Sequence, residues 1–276
     1  MKIGIVGTGN MGSILIHALI EGKAVREADL LATNRTISKA KELNTIYPAM
    51  TVLEDIHRLA ADSNVLFICV KPLEIEPLLR NIKSDLSADQ LLITITSPVS
   101  VRQLESKVPC KVARVIPSIT NRALDGATLI TFGDRCGERE KTTVMALAKK
   151  ISTPIVIDET ITRVASDLSS CGPAFIGYIL ERMIGAAVSE TDISRGQATE
   201  LATAMMIGMG KLLEKNIFSL ETLRKKVQVK GGVTGVGLEV LEAEIGDVFH
   251  HLFQKTQEKF LEDHREVDRQ FADNKS

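Results

Sequence analysis

A glycine-rich turn between a short apolar run and a helical segment constrains the fold of this chain more than any other feature. Lys2–Val6 has the composition of a strand, and a G-x-G-x-x-G turn follows it and opens Met11–Ile20, whose apolar residues recur at helical spacing. In such a turn the glycines permit a tight bend, close approach of a pyrophosphate, and close packing of helix on strand. We therefore predict a dinucleotide-binding unit, with a purely structural glycine turn as the alternative. The predicted cofactor-binding residues here are Gly7, Thr8, Gly9, Asn10, Met11 and Gly12.

Short apolar runs alternate with amphipathic stretches over the first half of the chain. Val65–Val70 and Leu91–Thr96 are nearly uninterrupted apolar runs of strand length, as expected of parallel strands that helices cover on both faces. The alternation continues to about residue 157 and predicts a doubly wound parallel sheet, a Rossmann domain over residues 1–158. Further strands are predicted at Leu30–Thr33, Lys111–Ile116, Ala127–Phe132 and, as a sheet edge, Pro154–Ile157.

The second half of the chain, residues 159–276, is predicted to be all helical. Strand signals vanish after Asp158, and apolar residues recur three and four apart to about Phe260. The helix predicted over residues 192–215 carries an apolar stripe wide enough to be buried on more than one side. That stripe indicates either a dimer interface or a core within the chain. The polar tail, residues 263–276, is predicted to fray.

Composition and charge narrow the class of protein. The chain has 276 residues, enough for two domains, and a net charge of −1, which gives no indication of a nucleic-acid partner. The four cysteines have no C-x-x-C spacing, and the five histidines show no metal or nucleophile spacing, so we predict no metal site. We expect no secretory leader, and we find no apolar run approaching the ~20 residues of a membrane span. We expect a cytoplasmic protein that binds a small molecule and no membrane.

The end of the second predicted strand indicates which dinucleotide binds. Its sequence, Thr33–Thr36, has no carboxylate to accept hydrogen bonds from the ribose of NAD, whereas Asn34 and Arg35 offer donors for a 2′-phosphate. NADP(H) is therefore the expected cofactor, with NAD(H) as the alternative. Arg35 has no competing carboxylate in this stretch; the other interpretation is a solvated surface arginine. Val70, Lys71 and Pro72 end a later strand at the same sheet edge and are predicted to border the nicotinamide, although Lys71 is equally consistent with simple solvent exposure.

A glycine pair near the C-terminal end opens a second helix. The segment Lys230–Thr234 precedes the helix predicted over residues 233–244. Two glycines let the backbone approach a ligand closely, and the free N–H groups of the first helical turn face that ligand with the positive end of the helix dipole. This corner suits a small carboxylate. The alternative is a loop between two packed helices that simply ends in glycine.

Taken together, these blocks resemble the pyrroline-5-carboxylate reductase family over about residues 2–265. That resemblance implies NAD(P)H-dependent reduction of the cyclic imine 1-pyrroline-5-carboxylate to L-proline, by a Rossmann domain and a helical domain that interlocks with its partner in a homodimer or a larger assembly. It implies that Thr234 hydrogen-bonds the imine nitrogen and that Glu159 lies near the substrate. The implied substrate-binding residues are Glu159, Lys230, Gly231, Gly232, Val233 and Thr234. The blocks that carry the resemblance are Gly7–Gly12, Asn34-Arg35, Val70–Pro72, Ser169–Phe175, and Lys230–Thr234 followed by Leu238.

Several positions depart from the family pattern around the expected substrate. Val229 and Lys230 replace Ser-Pro, and Ser118 stands where the family has asparagine. Ser97-Pro98 replaces an Ala-Gly pair, and Cys171 replaces a common serine. Cys171 is expected to be a buried thiol, because no basic neighbour is evident that would lower its pKa. These departures are similar to those of divergent late-competence, ComER-type members. The alternatives are therefore reduction of another carboxylated imine or ketone, or a weakly catalytic NADP-binding regulatory protein linked to competence.

Overall fold

Eight strands form one sheet in the part of the chain that this computed structural model describes, residues 1–229 and 231–272. Their order across the sheet is β3-β2-β1-β4-β5-β6-β7-β8. The order reverses between β1 and β4, and in an open α/β sheet ligands bind beyond the carboxyl ends of the strands at such a switch point. The strands are β1 (Ile3–Val6), β2 (Leu30–Thr33), β3 (Thr51–Val52), β4 (Val65–Ile68), β5 (Leu91–Thr94), β6 (Lys111–Ile116), β7 (Ala127–Phe132) and β8 (Thr153–Val156).

Helices cover the sheet and then form the rest of the chain. Side-chain caps fix several helix starts: Asp55 accepts from the backbone N–H groups of residues 57 and 58, and Ser100 and Ser194 each accept from the N–H three residues on. In the first half the helices are α1 (Asn10–Glu21), α2 (Ile37–Ile46), α3 (Ile56–Asp62), α4 (Pro72–Ile82), α5 (Val101–Glu105) and α6 (Glu138–Lys149). In the second half they are α7 (Thr162–Ser166), α8 (Gly172–Glu190), α9 (Arg195–Glu214), α10 (Leu220–Val227), α11 (Val233–Ile245) and α12 (Val248–Ala272). Short 3₁₀ turns lie at Glu27–Asp29, Lys83–Asp85, Ile119–Ala123 and Glu159–Ile161, and a π-helical turn lies at Asp167–Cys171.

Strand direction follows the length of each connection. The strands from β3 to β6 are all parallel, whereas β7 runs antiparallel to β6 and β8 runs parallel to β7. Only a short loop with a 3₁₀ turn joins β6 to β7, too little chain for a helical crossover, whereas α6 provides that crossover between β7 and β8. The predicted α/β fold, a Rossmann sheet followed by an all-helical region, is confirmed, with this reversal of the last two strands as an addition.

Two apolar layers sandwich the sheet. Ile3 and Ile5 pack in one layer with Leu15 and Leu19 of α1. Leu66 and Ile68 of the neighbouring strand pack in the other. Alternate residues of a strand face opposite sides of a sheet, and both sides here are buried, which explains the uninterrupted apolar runs in the sequence.

The last helix returns to the second of these layers. Val267 is 0% exposed and Phe271 is 7% exposed, and both pack in the layer that contains Leu79. Gln103 Nε2 donates to Asp268 Oδ1 at 2.7 Å, which fixes the same helix beside α5. The prediction that the tail frays is therefore wrong for residues 263–272, because two apolar residues one turn apart bury a helix that is otherwise polar; residues 273–276 lie outside the described part of the chain.

The chain divides into two compact units. Unit 1 comprises Met1–Pro173 and the described residues from Phe253 onward, and unit 2 comprises Ala174–Leu252. The last strand ends at Val156, close to the predicted boundary between residues 158 and 159, but the buried Thr162 and Asp167 still belong to unit 1. The strands thus end near residue 156, whereas the boundary between the two units lies at residue 173.

One helical stretch among the described residues, Glu159–Glu190, is long and apolar enough to cross a membrane when judged by length and composition alone. The expectation that no segment approaches a membrane span is wrong by this criterion. The expectation concerned uninterrupted apolar runs, whereas this stretch is apolar on average, with small and polar residues between its apolar ones. The same composition is typical of helices that pack an apolar face against protein.

Candidate functional site

The glycine turn after β1 is held by the backbone around it. Gly7 has φ +99°, and its N–H donates to Thr33 O at 2.9 Å. A Cβ on Gly7 would lie 2.6 Å from Cys69 O, and a Cβ on Gly12 would overlap Gly7 O. Only glycine fits these two positions, since both φ and contact distance exclude a side chain at Gly7 and contact alone excludes one at Gly12.

The middle of the same turn has the features of a pyrophosphate site. Gly9 caps α1 and, within residues 1–229 and 231–272, has no heavy atom within 4 Å of the place where its Cβ would be. No side chain of the described residues caps that helix, so the first-turn N–H groups are available to an anion. Thr8 Oγ1 is buried and has no hydrogen-bond partner among the described residues. The geometry of these residues is compatible with a dinucleotide pyrophosphate.

The thiol beside this turn is electrically neutral. Burial raises the pKa of Cys69 to about 12. The protein therefore places no thiolate anion next to the glycine turn.

Asn34 ties the glycine turn to the end of β2. Its Oδ1 accepts from Thr8 N at 3.0 Å, and its Nδ2 donates to Thr36 O at 2.9 Å. Asn34 thereby orders the loop next to the expected ribose, which is a positioning role in this structure.

Arg35 is paired with a carboxylate that its own strand does not supply. Its Nη1 lies 2.8 Å from Glu74 Oε1, and 88% of the Arg35 side chain is exposed. The expectation that no carboxylate competes for Arg35 is therefore wrong. Glu74 lies 39 residues along the chain, in the first turn of α4, so only the fold brings the two side chains together.

The segment Val70–Pro72 forms the entrance to α4. Lys71 is the N-cap residue with Pro72 in the first turn, and Lys71 N donates to Glu74 Oε2 at 3.3 Å. The Lys71 side chain is exposed. Glu74 thus connects the segment predicted to border the nicotinamide with the arginine predicted to bind a 2′-phosphate.

Glu159 is held by a buried arginine that sequence reasoning missed. Arg114, 3% exposed in β6, has its Nη2 at 3.3 Å from Glu159 Oε1 and 2.7 Å from Thr162 Oγ1. Val101 N also donates to Glu159 Oε1, at 3.1 Å. Burial lowers the pKa of Arg114, and Glu159 opposes that shift. The carboxylate is therefore fixed at the start of α5 through its Oε1 atom, and the Glu159 side chain remains partly exposed.

Arg114 also fixes the loop that carries Ser97-Pro98. Its Nη1 donates to Ser97 O at 3.1 Å and to Val99 O at 3.3 Å. The guanidinium therefore joins the carboxyl end of β5 to the start of the helical region. From sequence alone, a charged residue inside a strand indicates an exposed position at the edge of a sheet. No neighbouring residue in the sequence indicates that Arg114 is buried.

Ser118 lies in the interior of unit 1. Its Oγ donates to Ser169 O at 3.1 Å, and Ser170 Oγ donates to Pro117 O at 3.0 Å. These bonds tie the loop after β6 to the π-helical turn. In this structure the Ser118 hydroxyl is used for packing between segments.

Cys171 has a basic neighbour, which corrects the expectation that none is near. Arg163 Nη2 lies 3.3 Å from Cys171 Sγ and 2.8 Å from Asp167 Oδ1. Thr256 Oγ1 donates to the other oxygen of Asp167 at 2.7 Å. The residues are eight apart, and the π-helical turn between them brings the guanidinium and the sulfur together.

The glycine-pair corner belongs to unit 2. Gly231 has φ +76°, Gly232 caps α11, and Gly232 N donates to Val229 O at 2.9 Å. No side chain of the described residues caps α11, which leaves its first-turn N–H groups for a ligand. Val233 is 89% exposed and Thr234 is half-buried. Lys230, predicted to contact substrate, lies outside the described residues.

Unit 2 exposes many large apolar side chains. Within residues 174–229 and 231–252 the buried apolar cluster is small and contains Ile184, Ala198 and Ala202. An exposed apolar surface of this kind is typical of a protein–protein contact. The exposed apolar residues of α8, α9 and α11 include Ile176, Tyr178, Ile179, Met183, Leu201, Met205, Ile207, Val236, Val240 and Leu241.

No group of three or more His, Cys, Asp or Glu side chains in residues 1–229 and 231–272 is arranged to hold a metal ion.

Comparison with known proteins adds the family. Residues 159–263 match the family model for pyrroline-5-carboxylate reductase dimerisation, and residues 2–98 match that for NADP oxidoreductase, coenzyme F420-dependent. The chain is 51% identical to ComE operon protein 4 of Bacillus subtilis, over 98% of this chain and 99% of that relative. It is 30% identical to pyrroline-5-carboxylate reductase 3 of the same organism, over 94% of this chain and 95% of that relative.

Solved structures share the fold. Pyrroline carboxylate reductase of Plasmodium falciparum with NADP bound has a TM-score of 0.82 at 24% identity and covers 97% of this chain and 98% of its own. The pyrroline-5-carboxylate reductase of Coxiella burnetii has a TM-score of 0.83 at 22% identity, with 96% and 98% covered. At these identities the likeness is one of fold.

Proposed function

Because this chain belongs to the pyrroline-5-carboxylate reductase family, an NADP-dependent oxidoreductase family, we propose that it reduces the C=N bond of 1-pyrroline-5-carboxylate to give L-proline. The reaction adds a hydride to the imine carbon and a proton to the nitrogen. The reduced nicotinamide supplies the hydride when bound. The chain's own residues bind the two partners, orient them and stabilise the charge that changes at nitrogen.

The observation that carries this proposal is the uncapped N-terminus of α11 behind a glycine pair. A cyclic imino acid carries one carboxylate, and the first-turn N–H groups of Val233 and its neighbours are suited to hold it. Thr234 follows directly and has a hydroxyl that donates a hydrogen bond toward the ring nitrogen. The assignments of Gly231, Gly232, Val233 and Thr234 to substrate are thus part of the proposal, as is that of Lys230.

The cofactor end supports the same function. Among the described residues, nothing fills the space at Gly9, no side chain caps α1, and the Thr8 hydroxyl has no hydrogen-bond partner; these features fit a pyrophosphate. We assign Asn34 to positioning and Arg35 to the 2′-phosphate, with NADPH preferred over NADH. Val70, Lys71 and Pro72 then border the nicotinamide, since β4 lies beside β1 at the switch point.

Glu159 is proposed as the acidic residue beside the substrate. Its Oε1 is taken by Val101 N and Arg114. Its other oxygen is available to a water molecule beside the substrate. Arg114 acts on the reaction through Glu159 and is a positioning residue.

The direct test is oxidation of NADPH by the purified protein with 1-pyrroline-5-carboxylate, followed at 340 nm in absorbance, beside calorimetric titration of NADPH. We expect turnover in the wild type. We expect Thr234→Ala to lower kcat by about tenfold to a hundredfold, as expected for one lost hydrogen bond to the reacting group, with cofactor affinity unchanged. Thr143→Ala is the matched control, because Thr143 is a helical threonine whose hydroxyl donates to Arg139 O of its own helix. Thr234→Ala turnover equal to wild type would remove Thr234 from the mechanism.

A second candidate function rests on the higher identity to ComE operon protein 4, 51% against 30% to the reductase. Val229 offers no hydroxyl to a carboxylate, and Ser118 is used inside unit 1. Both features favour either another carboxylated imine or ketone as substrate, or a weakly catalytic NADP-binding protein with a regulatory role in competence. NADPH binding without turnover of 1-pyrroline-5-carboxylate would select this candidate.

Assembly and location complete the proposal. The match of residues 159–263 to a dimerisation model and the exposed apolar side chains of unit 2 support a homodimer through the C-terminal helices, or a larger assembly. On that basis Glu159–Glu190 contributes its apolar side to a subunit interface in a cytoplasmic protein. Sedimentation without detergent tests this, since a membrane helix would leave the protein aggregated.

A further inference from the structure

The ion pair between Arg35 and Glu74 spans the strand that carries the glycine turn. Arg35 follows β2 and Glu74 lies in the first turn of α4, after β4; both strands flank β1. Their side chains meet at 2.8 Å, between Nη1 and Oε1. The contact therefore lies at the carboxyl edge of the sheet, on either side of the switch point where a dinucleotide binds.

The guanidinium has donors left after this contact. Arginine has five N–H donors, and the structure records one acceptor for those of Arg35 in the described residues, the Glu74 carboxylate. A phosphate on the same guanidinium would share its cation with Glu74, with the two anions about 6 Å apart, since each lies about 2.8 Å from a guanidinium nitrogen. A phosphate monoester carries close to two negative charges at neutral pH. Glu74 must then repel it.

We propose that Glu74 is a specificity-determining residue that weakens the preference for NADPH over NADH. This inference rests on the proposed function, namely that unit 1 binds a dinucleotide at the glycine turn. The carboxylate neutralises part of the charge that Arg35 offers and repels the 2′-phosphate directly. NADH has an uncharged hydroxyl at that position, so Glu74 leaves its affinity almost unchanged. The ratio of the NADPH and NADH affinities is therefore smaller than it would be with Arg35 and without Glu74.

The size of the effect follows from the exposure of the pair. Arg35 is 88% exposed and the Glu74 side chain 39% exposed, so solvent and salt screen the repulsion strongly. A unit charge facing a doubly charged phosphate at about 6 Å in such surroundings changes an affinity by about fivefold. The effect should shrink as ionic strength rises, because the Debye length falls.

Glu74→Gln isolates the charge from the structural role of this side chain. Glu74 Oε2 accepts from Lys71 N at 3.3 Å, and the amide oxygen of glutamine can accept the same bond. Glu138→Gln is the matched control: Glu138 also lies in the first turn of a helix and pairs with a cation, Lys141, at 3.2 Å. Glu74→Lys provides a second variant, in which the charge is reversed.

The experiment is calorimetric titration of the full-length protein with NADPH and with NADH, at low and at high salt. We expect Glu74→Gln to bind NADPH about fivefold more tightly at low salt and NADH within about twofold of wild type. Glu74→Lys should tighten NADPH further, the gains should diminish at high salt, and Glu138→Gln should match wild type. In an Arg35→Ala background NADPH should bind more weakly overall, and Glu74→Gln should still tighten it, because the direct repulsion between Glu74 and the 2′-phosphate does not require Arg35.

Two results would overturn the inference: an unchanged ratio of the NADPH and NADH affinities, or weaker NADPH binding in Glu74→Gln. The last would mean that Glu74 orients Arg35 for the phosphate. These results concern a protein that binds dinucleotides. A wild-type protein that binds neither NADPH nor NADH would instead overturn the proposed function itself, and this inference with it.

Discussion

Truncation of Phe271 to alanine tests the docking of the last helix on the sheet domain. A frayed tail would make this substitution nearly neutral. In the structure, however, Phe271 is 7% exposed, packs in the same apolar layer as Leu79, and has the Lys107 Nζ at 5.9 Å from its ring centroid. We therefore expect Phe271→Ala to destabilise the protein measurably.

The magnitude follows from burial and from position in the chain. A buried Phe→Ala change costs about 3–5 kcal/mol in the middle of a core. Phe271 lies in the last described turn of α12, where the helix end can undock locally instead of leaving a full cavity, which limits the cost. We expect the free energy of unfolding to fall by about 2–3 kcal/mol.

Urea unfolding at fixed protein concentration measures this loss, since the stability of an oligomer depends on concentration. Leu261→Ala, on the same helix but 44% exposed, is the control and should cost under about 1 kcal/mol. Hydrogen exchange of the amides in residues 264–272 should speed up in Phe271→Ala alone. A Phe271→Ala protein as stable as Leu261→Ala, with equally slow exchange in both, would refute docking of this helix.

Two further predictions concern charged groups. Arg114→Gln should lower the free energy of unfolding by about 3 kcal/mol, because it leaves the carbonyls of Ser97 and Val99 without a donor and Glu159 without its cation. Arg114→Lys keeps the cation and should lower it by less. Calorimetric unfolding measures both variants, and the opposite ranking would contradict this account. The hydrogen bond to Asp85 raises the pKa of His57 above its ordinary value of 6.5. This pair therefore stabilises the fold at pH values below 6.5, and the contribution is lost as pH rises through the raised pKa. NMR titration should show that His57 pKa fall toward 6.5 in Asp85→Asn, and an unchanged or higher pKa there would rule out the pairing.

Local features of the sequence were sufficient for the sheet and the glycine turn. The strands β4 and β5 are apolar because helices cover both faces. Gly7 has φ +99°, and a Cβ on Gly12 would overlap Gly7 O of the same turn, so both of these requirements are local. The strand β3 could not be predicted, because two residues are too few to show the alternation of apolar and polar residues that is typical of a strand.

Contacts between distant parts of the chain had no such signal. Arg35 and Glu74, and Arg114 and Glu159, are each brought together by strand order and by crossover connections. The pairing of Arg163 with Cys171 depends on a π-helical turn that no residue pattern marks. The chemistry of Thr234 and Glu159 came from resemblance to a family and stays a prediction until turnover is measured.

The return of α12 to unit 1 makes that unit discontinuous in sequence. Unit 2, Ala174–Leu252, is an insertion whose two ends both join unit 1. An expression fragment that stops at residue 158 or 173 would expose the apolar layer that Val267 and Phe271 cover. The minimal autonomous sheet domain is therefore one in which residues 253–272 are joined back to Pro173 through a short linker, and dissecting the protein at a single cut site would yield two incomplete pieces.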